Sequence, residues 1–187
     1  MLEGQGLVFG VQFLPGGFRA FLGKAIASLT VRSIPIAEVF DASGCEWEEA
    51  LLPPDDDAAM ITQAETRLRA KNPHRNAGAD AVLRIVDAIA NDRAITKVDD
   101  VVRFSGTGKR TLERLFREYV GVGPKWVIQR YRLHEAAEHA AAGKTCDWAD
   151  LAAGLGYADQ AHFIRDFTRF VGQSPARYAA MVSPTES

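Results

Sequence analysis

The carboxyl-terminal half of the chain contains an internal repeat, which constrains the fold more than any other feature of the sequence. A shift of 51 positions places glycine on glycine, proline on proline and arginine on arginine. The aligned pairs are Asp99 with Asp150, Phe104 with Leu155, Leu112 with Phe163, Arg114 with Arg165, Phe116 with Phe167, Gly121 with Gly172 and Pro124 with Pro175. Self-similarity at a fixed shift indicates one supersecondary unit that is built twice.

Each copy of the repeat has the pattern of two short helices joined by a tight turn. In the first copy, Thr96 is a suitable N-cap for a helix that ends at Ser105-Gly106, and a second helix follows over about 108–119. In the second copy, we expect helices over 147–153 and about 159–170. Two helices separated by a short turn that contains glycine are typical of a helix-turn-helix.

The second helix of each copy has one apolar face and one polar face. Helical spacing puts these side chains on the inner faces: Leu112, Leu115, Phe116 and Tyr119, and then Phe163, Phe167 and Phe170. The outer faces hold Arg110, Glu113, Arg114 and Arg117, and then Ala161, His162, Arg165 and Arg169. The inner faces predict packing against a core, and the outer faces suit phosphates and base edges.

A long helix is predicted between the two copies, from Pro124 to Ala142, because proline is favoured in a first turn. At a rise of 1.5 Å per residue it forms a rod of about 28 Å. Major grooves on one face of a DNA duplex repeat every ~34 Å, so the two second helices could enter successive grooves.

Candidate DNA contacts follow from side-chain chemistry. An arginine reads guanine O6 and N7 with two hydrogen bonds, whereas lysines and helix-start amides suit phosphates. The predicted base-contacting residues are Arg110, Glu113, Arg114, Gln160, Ala161, His162 and Arg165. The predicted phosphate-contacting residues are Thr107, Lys109, Arg117 and Arg169. Glu113 could accept from cytosine N4 or orient an arginine, and any of these charges could belong to a solvated helix face.

The amino-terminal region is predicted to contain one strand, over Gly6–Leu14, which Pro15-Gly16-Gly17 ends. Short helices follow, with a longer helix over about 55–71. A lone strand is not stable in water, so we expect a pairing partner elsewhere in this chain, in another chain, or in a missing part of a larger sheet. The predicted division is a sensor or dimerisation region (1–73), a linker (74–78), a double helix-turn-helix domain (79–183) and a tail (184–187).

The net charge of −2 argues against a nucleic-acid-binding protein only on average. Residues 77–183 hold fifteen Lys or Arg against thirteen Asp or Glu, and five of the fifteen lie between Arg103 and Arg117. We expect no metal, cofactor or catalytic site, because Cys45 and Cys146 are isolated and no nucleophile has a neighbouring base. No apolar run approaches the ~18–20 residues that span a bilayer, so a cytoplasmic protein is expected.

Several motifs in residues 79–183 resemble the carboxyl-terminal DNA-binding domain of AraC/XylS-type transcription regulators. They are Arg110-Thr-Leu-Glu-Arg-Leu-Phe116, Leu151-Ala-Ala-Gly-Leu-Gly-Tyr157, His162-Phe-Ile-Arg-Asp-Phe-Thr-Arg-Phe170 and Gly172-Gln-Ser-Pro-Ala-Arg-Tyr178. The resemblance implies a bacterial regulator that binds promoter DNA at the nucleoid and recruits or blocks RNA polymerase. It implies two helix-turn-helix units joined by a long helix.

Residues 7–71, with Phe13-Leu-Pro-Gly-Gly-Phe-Arg-Ala-Phe-Leu-Gly23, resemble the end of the sensor domain in one group of these regulators. Most of the barrel-like part of that domain is absent, so the chain is expected to be a fragment or a shortened form that could still dimerise through this region. The predicted fold class is therefore mainly α, with an all-helical DNA-binding domain after a small α+β remnant. The alternative function is a dimerisation or interaction module without productive DNA binding.

Overall fold

The computed structural model describes residues 8–40, 46–47, 56–74, 76–141 and 147–182, and the regular elements in these ranges are helical. The amino-terminal helices are α1 (Arg19–Leu22), a 3-10 helix (Ile26–Leu29), α2 (Ala37–Phe40) and α3 (Asp57–Ala70). The later helices are α4 (Ala77–Asn91), α5 (Val98–Ser105), α6 (Lys109–Tyr119), α7 (Pro124–Ala141), α8 (Trp148–Gly154), α9 (Gln160–Val171) and α10 (Pro175–Val182). None of these helices is long and apolar enough to cross a membrane.

The predicted strand over Gly6–Leu14 is wrong, and so is the α+β class predicted for the amino-terminal region. Gly6 lies outside the described residues, and residues 8–14 have no regular structure; the described ranges contain no strand at all. Residues with a high β-propensity suit a pleated, half-buried surface, and no strand among the described residues pairs with this segment to provide one. Val8 and Leu14 are largely exposed instead.

The chain divides into two compact units, and two helices contribute to both. The first unit holds the described residues up to Leu83 together with Arg114–Val122. The second unit holds Arg84–Glu113 and the described residues from Gly123 onward. The domain boundaries expected from the sequence, at 73 and 79, stay a prediction.

Contacts between aromatic rings, and a cation packed on one of those rings, stabilise the first unit. Phe13 lies 5.0 Å from Phe18 and 5.2 Å from Phe21, measured between ring centroids. Phe40 then contacts Phe21 and the buried Trp47, and the guanidinium of Arg67 lies 5.4 Å from the Trp47 ring centroid. Aromatic pairs of this kind contribute roughly 0.5–1.5 kcal/mol each beyond their buried area.

One core cluster of the second unit is built from three helices and the residue that follows α8. Its buried members are Leu133, Ala136 and Ala137 of α7, Ala152 of α8, Leu155 after α8, and Phe163 and Phe167 of α9. The Phe163 ring lies 5.7 Å from Phe167 and 5.4 Å from Tyr157, centroid to centroid. Burying one such phenyl ring stabilises the fold by about 1.5–3 kcal/mol, so the apolar face of α9 fixes its packing.

A buried guanidinium joins α4 to α7 within the second unit. Arg132 is only 2% exposed, and it donates to the carbonyl oxygen of Ile89 and, at 2.9 Å, to Glu135 Oε2. Glu135 Oε1 also pairs with Arg93 Nε at 2.6 Å. A buried charge is tolerated only when it is paired and hydrogen-bonded, and here the pairing also satisfies a carbonyl near the end of α4.

We predict that Arg132→Ala lowers the free energy of unfolding by about 3 kcal/mol, because it leaves a cavity and an unpaired carbonyl. Arg93→Ala is the matched control, since it removes an exposed arginine from the same carboxylate; it should cost under about 1 kcal/mol. Urea unfolding followed by circular dichroism measures both. Equal losses would contradict the role given to Arg132.

Candidate nucleic-acid interface

A three-residue turn separates α5 from α6, as the sequence predicts for a helix-turn-helix. Gly106 ends α5 with a φ of 64°, a left-handed conformation that favours glycine, and its amide donates to the Val102 carbonyl at 3.0 Å. At the start of α6, the Leu112 amide donates to the Gly108 carbonyl at 3.0 Å. The turn fixes where the polar face of α6 begins.

The predicted N-cap of α5, Thr96, is wrong by one residue: the N-cap is Lys97. The free amides at this helix start are satisfied by Asp100, whose Oδ2 accepts from Thr96 N at 3.0 Å and from Lys97 N at 2.9 Å. An acidic residue three positions after the cap is a known helix-start pattern, so the sequence held this information. Arg103 pairs with the other oxygen of the same carboxylate at 2.5 Å.

The two faces predicted for α6 are confirmed by burial. Leu112 and Phe116 are fully buried. The predicted base-contacting residues of this helix and two of its predicted phosphate contacts are exposed: Arg110, Glu113, Arg114, Lys109 and Arg117. Four cations of one helix thus share a solvent-facing surface.

Thr107, the remaining predicted phosphate contact in the first copy of the repeat, is half-buried. Its amide donates to Ser105 Oγ at 3.2 Å and its hydroxyl lies 3.4 Å from the Ser105 carbonyl. Both polar groups are therefore engaged within the turn.

The second helix-turn-helix exposes a smaller set of polar groups. Asp159 caps α9 by accepting from His162 N at 2.7 Å. The exposed residues among those predicted to contact DNA are Gln160, Ala161, Arg165 and Arg169. His162 is half-buried: its Nε2 lies 3.4 Å from Asp166 Oδ2, and its ring packs edge-on against Tyr157 at 5.2 Å.

Asp166 organises the polar groups around α9. Besides His162, it faces Arg169 Nη1 at 3.9 Å and Gln129 Nε2 at 3.4 Å. Burial, together with the nearby Asp166 charge, raises the pKa of Tyr157 to about 12, so its hydroxyl stays neutral at physiological pH. Because the Asp166 carboxylate faces both His162 and Arg169, the positive charge on α9 is lower than that on α6.

A close backbone approach joins the second helix-turn-helix to the first. Gly156, in the turn before α9, has a φ of 79°, and a Cβ placed on it would lie 2.6 Å from the Cβ of Thr96. Thr96 directly precedes the cap of α5, so the turn before α9 meets the segment before α5 at a point that only glycine fits. The sequence pattern marked Gly156 as a turn residue and did not show this contact.

The structure also shows two lysines that the sequence interpretation missed. A concavity of about 360 Å³ lies beside the Gly156 turn, and its rim includes Lys97, Lys109, Lys125 and His162. Lys97 caps α5 and Lys125 lies in the first turn of α7, so both are near helix starts. Cations at adjacent helix starts are the pattern that could have revealed them.

Comparisons with known proteins agree with this geometry. Residues 101–181 match the family model of the helix-turn-helix domain. A curated relative, the probable transcription factor PqrA of Proteus vulgaris, is 30% identical over 82 residues, which cover 44% of this chain and 66% of the relative. Residues 101–181 therefore form an AraC-type helix-turn-helix domain.

The family match lies within the part of the chain that contains both helix-turn-helix units. The matched segment spans 66% of the curated relative's length. A solved structure described as a transcriptional regulator with an AraC-type DNA-binding domain, from Chromobacterium violaceum, is also similar. It has 23% sequence identity and a TM-score of 0.49, and the match covers 59% of this chain and 99% of that chain.

We predict that Gly156→Ala lowers the stability of the AraC-type domain by about 2 kcal/mol or more, because the methyl group meets Thr96 and the left-handed backbone is strained. Gly154→Ala is the control, since that position ends α8 with no neighbouring atom within 4 Å of an added Cβ. It should be neutral or stabilising. Thermal unfolding of both variants measures the difference, and a comparable loss in Gly154→Ala would refute the close-contact explanation.

The carboxyl of Asp100 gives the domain a pH dependence. Burial alone would raise its pKa, but hydrogen bonds from the Lys97 and Thr96 amides and the charge of Arg103 outweigh burial, so its pKa lies below 3.8. A carboxyl with a lowered pKa stabilises the fold above its unfolded-state pKa, and this contribution disappears as the pH falls through the folded-state value.

We therefore predict that Asp100→Asn costs about 1 kcal/mol at pH 7 and progressively less as the pH falls below 3.8. Asp99→Asn, which neutralises an exposed neighbour in the same turn, should cost less at pH 7. Denaturant unfolding at pH 7 and pH 3 measures both variants. A pH-independent penalty in Asp100→Asn would show that the charge is not involved.

Proposed function

We propose that this chain is a sequence-specific DNA-binding transcription regulator that inserts α6 and α9 into successive major grooves of a promoter. One observation supports this most strongly. Each of the two helices that follow a helix-turn-helix turn buries its aromatic or aliphatic face and leaves arginines exposed on the other. Burial leaves that polar face available for a polyanion with hydrogen-bonding edges.

The assignment of base contacts follows from reach and pairing. Arg110 and Arg114 lie one turn apart on the exposed face of α6, where each could bind the O6 and N7 of a guanine, and Glu113 between them could accept from cytosine N4. In α9, Gln160 suits adenine and Arg165 suits guanine. Ala161 offers a methyl contact to thymine, whereas His162 contributes less because it faces Asp166.

The phosphate contacts determine affinity and position. Lys109, Arg117 and Arg169 are exposed next to the base-contacting residues, whereas the amide and hydroxyl of Thr107 are engaged with Ser105 before α6. Lys97 and Lys125 line the same concavity as Lys109, so we add them to this set. When several lysines contact the DNA phosphates, the affinity of the protein for DNA falls steeply as the salt concentration rises.

RNA polymerase is the proposed protein partner, because a promoter-bound regulator acts by recruiting or blocking it at the nucleoid. Homodimerisation through the amino-terminal region is a further proposal. The alternative function is an interaction module without productive DNA binding. It draws support from the acidic groups beside α9, since Asp166 pairs with His162 and approaches Arg169.

We predict that selection from a random duplex pool recovers one motif and that Arg114→Ala relaxes the preference at a single base pair. The loss of discrimination there should be about 1–3 kcal/mol, because a bidentate contact to guanine is removed. Lys109→Ala should weaken all sequences about equally and reduce the slope of log affinity against log salt by about 1. Fluorescence anisotropy on the selected duplex and on its single-base variants measures both effects.

Arg84→Ala is the matched control, because it removes an exposed arginine of α4 that lies outside both helix-turn-helix units. Its affinity and specificity should equal those of the parent protein. If no duplex binds the protein in these titrations, the proposal of a DNA-binding regulator is refuted and the alternative of an interaction module is favoured. An unchanged motif in Arg114→Ala would remove only the assignment of that residue.

A further inference from the structure

A largely apolar cavity of about 420 Å³ lies within the first unit, remote in sequence from most of the DNA-contacting residues proposed above. Its walls are residues 11–17, α1, Leu68 of α3, the stretch before α4, the first turns of α4, and Tyr119 in the last turn of α6. Small-molecule sites in proteins have volumes of about 300–1,000 Å³ and are mostly apolar with a few placed polar groups. The cavity meets both conditions.

The lining has a distinct charge pattern. Phe13, Phe21, Leu68 and Leu83 supply apolar surface, and the lining also includes Arg19. Neither aspartate nor glutamate is present among the described residues that line it. A cation would find no carboxylate in this lining, whereas an anion attached to an apolar body would find both a cationic residue and apolar surface.

An ion pair with a residue outside the cavity lining holds the guanidinium of Arg19. Its Nε pairs with Glu118 Oε1 at 2.6 Å, and Glu118 does not line the cavity. An arginine has five N–H donors, so this bond leaves the donors of both terminal nitrogens for a second acceptor. The ion pair therefore orients the group without using its full capacity.

A second donor lies near the same end of α6. The Tyr119 hydroxyl donates to Asn76 Oδ1 at 2.8 Å, and the Ala79 amide donates to the same oxygen at 3.1 Å. These two bonds identify that atom as the oxygen of the amide, so the Nδ2 group of Asn76 remains a donor. Both Asn76 and Tyr119 line the cavity.

We propose that this cavity binds a small apolar carboxylic acid. The carboxylate is bound by the terminal nitrogens of Arg19, with Asn76 as a neutral donor, and the apolar body lies against Phe13, Phe21 and Leu68. The existence of this site does not depend on whether the chain binds a promoter.

Isothermal titration calorimetry on the full chain tests the proposal with three probes of one shape: 4-phenylbutyrate, 4-phenylbutan-1-ol and 4-phenylbutylamine. The acid should bind most tightly and the amine least tightly, since the three probes share the phenylalkyl body and differ only in the polar group at one end. Binding of the amine as tight as that of the acid, or no saturable binding of the acid at millimolar concentration, would overturn the proposal.

Two matched variants separate recognition from folding. Arg19→Gln and Glu118→Gln break the same ion pair, but only the first removes a charged residue that lines the cavity. Arg19→Gln should weaken the acid about ten-fold and leave the alcohol unchanged, a loss typical of a hydrogen bond to a charged group. Glu118→Gln should keep or strengthen acid binding, and equal losses in both variants would refute the role of Arg19.

A third variant locates the site. Ala20 is exposed and lines the cavity, so Ala20→Trp fills the space without replacing a core residue. Binding of acid and alcohol should both disappear while the thermal unfolding midpoint stays near that of the parent protein. Acid binding at unchanged affinity in this variant would place the ligand elsewhere and overturn the proposal. If Ala20→Trp does not fold, the comparison of Arg19→Gln with Glu118→Gln tests the location of the site.

Discussion

The structure depends on burial of one face of a short helix. With eleven residues, α6 is too short to be stable on its own in water, where isolated helices need roughly 12–15 residues to be even marginal. Leu112 and Phe116 supply the missing free energy by packing, and they are fully buried. Since side chains three and four positions apart share a face, the same packing directs Arg110 and Arg114 into solvent. Core packing and the charged surface are therefore two consequences of one hydrophobic stripe.

Polar and steric contacts then position the start of α5, the turn before α9, and the helices α4 and α7. Asp100 satisfies the helix start of α5, and Gly156 lets the second turn lie directly against Thr96. Arg132 joins α4 and α7 by satisfying a carbonyl near the end of α4. These contacts are short and directional, whereas the apolar core tolerates small changes in side-chain shape. They make the relative placement of α5 and the second turn specific.

The sequence predicted the helices of the repeat well because burial has a period that can be counted. Leu112 and Phe163, then Phe116 and Phe167, are equivalent in the repeat, and all four are fully buried. The prediction of a strand was wrong because β-propensity depends on packing against a neighbouring strand, and the sequence of a single segment does not show whether such a neighbour exists. Gly156 was recognised as a turn residue, but its contact with Thr96 is set by tertiary structure. The engagement of His162 by Asp166 could be suspected from their spacing of four residues, whereas the cavity beside Arg19 unites segments too distant in sequence for any local pattern.

The helix α6 contributes to both compact units, and this bears on how the chain could respond to a ligand. Its first half belongs to the second unit, whereas Glu118 and Tyr119 bond to Arg19 and Asn76 within the first. A molecule at Arg19 would therefore touch a residue that orients the end of the helix whose exposed face holds Arg114. Coupling between two sites requires that the ligand bind the DNA-bound and free states with different affinity, and the effect is reciprocal. If α6 is rigid and identical in both states, the cavity and the DNA surface act independently even though they share a helix. If the last turn of α6 shifts when DNA binds, the ion pair between Arg19 and Glu118 is the contact through which that shift would reach the cavity.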